Sequence, residues 1–238
     1  MPVSIQPGDP EQVRDLFDRI APAYDNLNDL LSLGLHRLWK RQAVSWLDPA
    51  RGQRLLDLCC GTGDLALVLA EKVRPGGLVL GLDAAAAPLE RACERARRQP
   101  WLPVEFRQGD AAATDLSDGW ADGAVMAYGL RNLPDPAAGL RELRRLLRAG
   151  GRAAVLDFNR PANGRGATAA FQRFYLRQLV VPLARRAGLE DQYAYLERSL
   201  QCFPTGSEQE DLAREAGFTY GRHRLLAGGQ MGLLQLVA

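Results

Sequence analysis

Acidic side chains around a glycine-containing turn are the residues of this chain whose types and spacing could do chemistry. The turn Gly61-Thr62-Gly63 is flanked by Asp57 and Asp64, and two later apolar segments are followed by acids, at Asp83 and Asp110. Glycine lets a ligand approach the backbone where a side chain would collide. An acid about 20 residues after such a turn can accept hydrogen bonds from ribose hydroxyls. The pattern therefore predicts a nucleoside site, with Asp83 at the ribose and Asp110 at an adenine amino group.

The charge of the turn distinguishes two classes of nucleoside ligand. Residues 61–66 also satisfy the dinucleotide pattern G-x-G-x-x-A. A pyrophosphate would lie at the start of the following helix, where Asp64 would repel it together with Asp57. Two carboxylates suit a ligand with cationic groups, and S-adenosylmethionine has both a sulfonium and an ammonium group. The alternative that these acids are only helix-cap and turn residues stays open at this point.

Short apolar runs alternate with helical patterns in the segment that carries these acids. Helices are predicted at 64–73, from after Asp83 to about 99, at 136–147 and at 208–215. The strands are predicted at Arg54–Cys59, Leu78–Asp83, Val104–Gln108, Gly123–Tyr128 and Arg152–Phe158, followed by a hairpin at 218–226 and 230–237. Strands joined by helices of about ten residues form a parallel sheet buried on both faces. The sequence thus predicts an α/β fold whose strand ends gather the acids in one crevice.

The remaining segments are predicted to frame one domain. Residues 1–10 contain three prolines and are expected to form a flexible tail, with a single domain at 11–238. A helical cap is predicted at 11–48. It contains a helix at 11–20 and a second helical stretch at 26–47, which is expected to break at Gly34. A helical insertion is predicted at 160–205, with a helix at 171–187.

Composition excludes several classes of protein. The 238 residues are 47% hydrophobic and 24% charged, which argues against wholesale disorder, and the net charge of +2 argues against a dedicated nucleic-acid-binding protein. The four cysteines form no C-x-x-C motif and are expected to be reduced, intracellular thiols. Two histidines without zinc-ligand spacing predict no metal site. No apolar run approaches the roughly 18 residues of a membrane span, so a cytoplasmic protein is expected.

Three further motifs give the chain a family resemblance. They are residues 17–25 (FDRIAPAYD), 28–40 (NDLLSLGLHRLWK) and 128–133 (YGLRNL). With these motifs the chain resembles the UbiE/MenG family of class I S-adenosylmethionine-dependent methyltransferases, which methylate quinone-ring carbons. Segments 203–209 and 227–232 look most like its cyanobacterial and plastid branch, which acts on 2-phytyl-1,4-naphthoquinone. The chain departs from the family pattern at 84–88 (AAAAP), so no contact is carried over there.

The resemblance implies a fold and a set of cofactor residues. The fold is a seven-stranded, mostly parallel Rossmann-like sheet with helices on both faces, an antiparallel terminal strand and an N-terminal helical cap. Thr62 and Asp83 match family positions at the methionine and ribose ends of the cofactor, and Asp110-Ala111 matches the adenine pair. Together with the acids and glycines derived above, the predicted cofactor residues are Asp57, Gly61, Thr62, Gly63, Asp64, Asp83, Asp110 and Ala111.

The chemistry of methyl transfer constrains the substrate and the catalytic residues. A sulfonium methyl is an electrophile, so the expected substrate is the electron-rich quinol, not the quinone, with a base near its hydroxyl. His36, Asp157 and Tyr128 are the candidate bases, and the sequence does not choose among them. Arg131 and Asn132 are candidates to orient or polarise the ring oxygens. The expected substrate is demethylphylloquinol, with demethylmenaquinol or a polyprenyl-benzoquinol as alternatives.

A long isoprenoid tail on the substrate implies peripheral membrane contact, at the thylakoid surface for the phytyl compound. Leu27, Leu30, Leu31, Leu35 and Leu38 form one apolar helical face, and 171–186 combines aromatic residues with arginines. A core-facing stripe is the alternative for each. Three functional alternatives also stay open: a methyltransferase for another small molecule, a nicotinamide oxidoreductase and a non-catalytic nucleoside-binding module. The sequence does not predict the oligomeric state.

Overall fold

A computed structural model describes residues 5–20, 34–161 and 190–238. The described helices are α1 (Pro10–Ile20), α2 (Leu35–Leu47), α3 (Asp64–Val73), α4 (Ala86–Arg97), α5 (Pro136–Leu146), α6 (Glu190–Cys202) and α7 (Gly206–Glu215). The strands are β1 (Arg54–Leu58), β2 (Leu78–Asp83), β3 (Val104–Gln108), β4 (Ala121–Ala127), β5 (Leu147–Phe158), β6 (Tyr220–Leu226) and β7 (Met231–Val237). The helix predicted at 171–187 and most of the helical face at 27–38 lie outside the described residues.

The strands form one seven-stranded sheet in the order β3-β2-β1-β4-β5-β7-β6. The first five strands of the chain are mutually parallel, and β7 lies antiparallel between β5 and β6. The strand order reverses direction between β1 and β4, and in open α/β sheets this switch point is where a crevice opens at the carboxyl ends of the strands. The predicted fold class is confirmed, including the antiparallel strand at the end of the chain.

Both faces of the sheet are covered by helices. Successive residues of a strand point to opposite faces, and on β1 Leu55 packs in one apolar cluster while Leu56 packs in the other. The first cluster is completed by α2 and α3, through Val44 and Leu69 among others. The second is completed by α5 and α7, with Leu143 and further apolar side chains. Burial on both sides explains why β1, β2 and β4 read as continuous apolar runs.

Several element bounds differ from the sequence-based expectation. The structure extends β5 back to Leu147, because Leu147 pairs with Ala121 before the register shifts. α7 begins at Gly206, since Thr205 and Glu208 form a reciprocal capping box there. α6 lies within the predicted insertion at 160–205, but no separate helix was predicted at its position. The predicted tail 1–10 is packed from Ile5 onward, because Ile5 is 2% exposed and Asp9 accepts hydrogen bonds from the first turn of α1.

The alanine-rich departure from the family pattern lies at the start of α4. Ala85 precedes this helix and offers no capping side chain. Asp83 accepts a hydrogen bond from the Ala85 N–H at 2.9 Å, and Asp18 of α1 accepts one from the Ala87 N–H at 2.8 Å. Acids from two other elements therefore satisfy the amide groups that a local cap would otherwise bind.

The imidazole of His223 on β6 joins the two segments 203–209 and 227–232. A methyl group on either Gly206 or Gly232 would overlap this ring, so both positions need glycine for its packing. The backbone N–H of His223 donates to Glu210 at 2.6 Å. Burial lowers the pKa of His223, and the nearby Glu210 carboxylate opposes that shift.

We expect the stability of the fold to carry a pH dependence from His223. A histidine with a folded-state pKa below about 6.5 binds fewer protons folded than unfolded. The contribution of neutral His223 to the free energy of unfolding is therefore complete above about pH 6.5, and it declines as the pH falls below that value. Urea unfolding between pH 7.5 and 5 should show a smaller decline for His223→Gln than for the wild type. Equal declines would show that His223 does not contribute.

Candidate active site

The glycine turn follows β1 at the carboxyl edge of the sheet. The chain reverses there through left-handed conformations, with φ of +56° at Cys59, +54° at Gly61 and +80° at Gly63. Two backbone hydrogen bonds of 2.9 Å fix the turn, from Cys60 N–H to the carbonyl of Leu82 and from Gly63 N–H to that of Cys60. A pocket opens beside the turn and is lined by Lys40, Asp57, Cys59, Cys60, Gly61, Thr62, Asp64, Leu65, Ala127 and Tyr128.

The two glycines of the turn have different reasons to be glycine. A Cβ on Gly61 would meet no protein atom within 4 Å, so the space beside this backbone is open. A Cβ on Gly63 would lie 2.7 Å from the Phe106 ring and 3.0 Å from Ala92. Gly61 therefore leaves room for a ligand, whereas Gly63 lets the turn pack against β3 and α4.

This difference predicts opposite behaviour for two alanine variants. Gly61→Ala should lose only about 1–2 kcal/mol of unfolding free energy, the cost of a left-handed alanine, yet its methyl group occupies the ligand space. Gly63→Ala should lose about 2–5 kcal/mol, since overpacking adds to the same backbone cost. Calorimetry with S-adenosylhomocysteine should then show at least tenfold weaker binding to folded Gly61→Ala. Undiminished binding would mean that the cofactor does not approach Gly61.

Asp57 is buried beneath the turn. One carboxylate oxygen accepts a hydrogen bond from the N–H of Ala66 at 2.8 Å and so connects β1 to the first turns of α3. Burial raises the pKa of Asp57 to about 7, against the lowering effect of the positive charge of Lys40. The carboxylate is both a structural acceptor and part of the pocket wall.

The charge of Asp64 is compensated, which corrects the argument from sequence. Its carboxylate lies 3.1 Å from the Lys40 ammonium and 2.6 Å from the Arg95 guanidinium. Burial alone would raise the pKa of Asp64, but Lys40 and Arg95 lower it to about 2. The site is therefore a mixed arrangement of acids and cations, and Asp64 does not present an unpaired negative charge to a ligand.

Asp83 joins the end of β2 to the glycine turn. One carboxylate oxygen accepts a hydrogen bond from the Gly61 N–H at 2.7 Å, and the other accepts one from the Ala85 N–H at 2.9 Å. Burial raises the pKa of Asp83, although these N–H groups oppose the shift. Asp83, the residue predicted to bind the ribose, thus lies next to the open space at Gly61.

The remaining predicted cofactor residues occupy neighbouring loops. Asp110 is exposed after β3 and accepts a hydrogen bond from the Ala112 N–H at 2.8 Å, while Ala111 is buried. Thr62 is buried in the turn, and its carbonyl accepts a hydrogen bond from Arg95 at 2.9 Å. The structure brings Asp57, Gly61, Thr62 and Asp64 into one pocket wall.

A second group of predicted residues lies in the loop after β4. The carbonyl of Tyr128 accepts hydrogen bonds from the side chains of Arg131 and Asn132, each at 2.8 Å. Arg131 forms a buried ion pair with Asp157 at 2.6 Å, and its guanidinium lies 5.2 Å from the centre of the Phe158 ring. These contacts hold the 128–133 loop against the end of β5, and Tyr128 itself lines the pocket.

Tyr195 is a residue of this site that the sequence did not indicate. Its hydroxyl donates a hydrogen bond to the Asn132 side-chain oxygen at 2.9 Å, and burial raises the pKa of Tyr195 to about 12. The contact joins α6 to the 128–133 loop. A single tyrosine in a helix carries no local pattern that would have identified it.

The three candidate bases occupy different environments. Asp157 accepts hydrogen bonds from the Arg131 side chain, the Arg131 N–H and the Phe158 N–H, which is the geometry of an anchor for the loop. Tyr128 lines the pocket. His36 is buried on α2, one turn before Lys40, and is not among the pocket-lining residues.

The described residues also carry no metal-binding or membrane-spanning feature. They contain no group of three or more histidine, cysteine, aspartate or glutamate side chains placed to hold a metal ion. None of the helices among them is long and apolar enough to cross a bilayer.

Comparisons with known proteins show the family to which the chain belongs and agree with this fold. The profile of the ubiE/COQ5 methyltransferase family matches residues 6–234. The 2-phytyl-1,4-naphtoquinone methyltransferase of Nostoc punctiforme is 47% identical over 224 residues, which cover 94% of this chain and 96% of that protein. The chloroplastic 2-phytyl-1,4-beta-naphthoquinone methyltransferase of Arabidopsis thaliana is 44% identical, over 93% of this chain and 85% of that protein.

A solved structure supports the fold at lower sequence identity. Phosphoethanolamine N-methyltransferase 2 of Haemonchus contortus, in complex with S-adenosyl-L-methionine, aligns with a TM-score of 0.66 at 19% identity, over 90% of this chain and 46% of that one. The family resemblance read from the three motifs is confirmed by the profile match. The chain belongs to the ubiE/COQ5 methyltransferase family.

Proposed function

We propose that this chain transfers a methyl group from S-adenosylmethionine to a ring carbon of a reduced prenylated naphthoquinol, demethylphylloquinol. One observation carries the proposal: a single pocket wall combines the glycine turn with Tyr128, from the loop that holds Arg131 and Asn132. The glycine turn and the 128–133 loop therefore meet at one edge of the sheet. The names of relatives at 44–47% identity support the naphthoquinone ring.

The residues of the pocket fit S-adenosylmethionine. The open space beside Gly61 accommodates a ligand against the backbone, and Asp83 stands next to it as the acceptor for ribose hydroxyls. Asp110 and Ala111 would hold the adenine, and Asp57 and Thr62 the methionine end. When bound, this cofactor supplies an electrophilic methyl group.

The 128–133 loop would then hold the aromatic ring of the substrate. Proximity and alignment of the reacting atoms supply a large part of the rate enhancement in two-substrate reactions. Arg131 and Asn132 are held by Asp157 and Tyr195, so the 128–133 loop is preorganised to orient a ring oxygen. A base that takes the hydroxyl proton raises the electron density of the neighbouring carbon, and Tyr128, His36 and Asp157 remain the candidates for that role.

A mass-shift assay tests the proposed reaction. The protein is incubated with S-adenosylmethionine and 2-phytyl-1,4-naphthoquinone, with and without a chemical reductant, and a product heavier by one methyl group is expected only with the reductant. Equal turnover of the oxidised quinone would contradict the quinol mechanism. Demethylmenaquinol and a polyprenyl-benzoquinol, run in parallel, distinguish the alternative substrates. Cofactor binding without turnover of any of them would favour the non-catalytic alternative.

We also propose that the protein contacts the surface of the thylakoid membrane, where such a substrate resides. Leu35 and Leu38 of α2 are 48% and 50% exposed, and Arg37 and Arg41 of the same helix are also exposed. Apolar side chains beside arginines suit an interface with anionic headgroups. Flotation with anionic vesicles should therefore be weaker for a Leu35→Ser, Leu38→Ser double variant than for the wild type. No flotation of the wild type would contradict this contact.

A further inference from the structure

Lys40 is the one lysine or arginine among the described residues that line the pocket. It extends from α2, which packs against β4 and β5 of the sheet, and its side chain is only 16% exposed. Its ammonium lies 3.1 Å from an Asp64 carboxylate oxygen, and its charge also acts on Asp57. Lys40 is thus a partly buried cation beside the glycine turn.

Asp64 has a second cationic partner besides Lys40. The Arg95 guanidinium lies closer to the Asp64 carboxylate, at 2.6 Å, and also donates a hydrogen bond to the Thr62 carbonyl at 2.9 Å. Arg95, from α4, thus contacts both Asp64 and the backbone of the glycine turn. Lys40 is the cation that can turn toward a ligand while Asp64 keeps an ion-pair partner.

The amino-acid end of the proposed cofactor is a zwitterion, with one ammonium group and one carboxylate. Acids alone would match the ammonium group but repel the carboxylate. A pocket wall that contains Asp57 and Lys40 offers an acid for the ammonium group and a cation for the carboxylate. Hydrogen bonds between a charged lysine and a carboxylate are also stronger than hydrogen bonds between neutral groups.

We propose that Lys40 binds the carboxylate of the methionine part of the cofactor, and that it thereby makes the enzyme selective for nucleosides that carry an amino-acid tail. This inference rests on the proposed use of S-adenosylmethionine. α2 packs on the sheet through Ala43, Val44 and Leu47, so the lysine is presented from a fixed element. Helix α2 becomes part of the cofactor site and not only a cover.

Calorimetry with three nucleosides tests this role. S-adenosylhomocysteine carries both tail charges, its decarboxylated analogue S-adenosyl-3-thiopropylamine keeps only the ammonium group, and 5′-methylthioadenosine lacks both. Lys40→Met should weaken S-adenosylhomocysteine binding about 10- to 100-fold, the range for a lost hydrogen bond to a charged group. The affinities of the other two nucleosides should change less than about threefold, within the scatter of small surface effects.

The controls separate binding from folding. Lys40→Arg should restore most of the affinity for S-adenosylhomocysteine, and Lys72→Met, at the exposed end of α3, should leave all three affinities unchanged. If Lys40→Met does not fold, Lys40→Gln takes its place, and the wild type should bind S-adenosylhomocysteine at least tenfold more tightly than the decarboxylated analogue. Equal wild-type affinities, or an equal loss of all three ligands in Lys40→Met, would overturn the proposal. Failure of every nucleoside to bind the wild type would instead refute the proposed cofactor.

Discussion

Replacing Asp157 by alanine is expected to lower the free energy of unfolding by about 3–5 kcal/mol, the usual cost of leaving a buried charge without its partner. The Asp157 and Arg131 side chains are 4% and 8% exposed, and their closest atoms lie 2.6 Å apart. In Asp157→Ala the Arg131 guanidinium would remain buried with the Tyr128 carbonyl and the Phe158 ring beside it. Urea unfolding at pH 7 measures the loss.

A double-mutant cycle distinguishes the ion pair from simple loss of packing. Asp157→Ala with Arg131→Met removes both charges, so we expect the double variant to be more stable than Asp157→Ala alone. Strictly additive losses would contradict a coupled pair. Under the proposed function, activity should remain low in the double variant even where stability returns, because Arg131 is then absent from the 128–133 loop. Recovery of turnover together with stability would show that Arg131 serves the fold and not the substrate.

The strand ends were predictable from sequence, whereas the partners of the acids were not. The apolar run ending in Asp83 coincides with β2, since burial on both faces leaves a local signature. β3, which ends at Gln108, is an edge strand in which apolar Val104 and Phe106 alternate with polar residues. The pairing of Lys40 with Asp64 joins residues 24 positions apart through the packing of α2 on the sheet. No periodicity within either segment encodes that contact.

The same limit applies to residues within a single motif. Gly61 and Gly63 look equivalent in the sequence, and only the approach of Phe106 from β3 distinguishes them. Tyr195 and Asn132 meet across 63 positions of the chain. Local chemistry therefore predicts which edge of the sheet is functional, while tertiary packing decides which side chains are free to bind and which serve as anchors.

Asp83→Ala is expected to weaken S-adenosylhomocysteine binding at least about 100-fold, because under the proposed function it removes a half-buried acceptor of two ribose hydroxyls, each worth about 1.5–3 kcal/mol when hydrogen-bonded to a charge. The carboxylate also accepts the Gly61 and Ala85 N–H groups, so part of the loss comes from a less ordered turn. Since burial raises the pKa of Asp83, the wild-type affinity should begin to fall on acidification at a higher pH than an ordinary aspartate would give.

Two further variants separate the ribose contact from the order of the turn. Asp83→Asn keeps the size of the side chain and one carbonyl acceptor, so it should unfold at a higher urea concentration than Asp83→Ala while still losing most of the affinity. Asp110→Ala removes an exposed carboxylate, which water screens, and should cost about tenfold or less. If Asp110→Ala lost as much affinity as Asp83→Ala, the adenine side would contribute as much to recognition as the ribose side. If Asp83→Asn bound the nucleoside as tightly as the wild type, the buried acid would act only by joining β2 to the glycine turn.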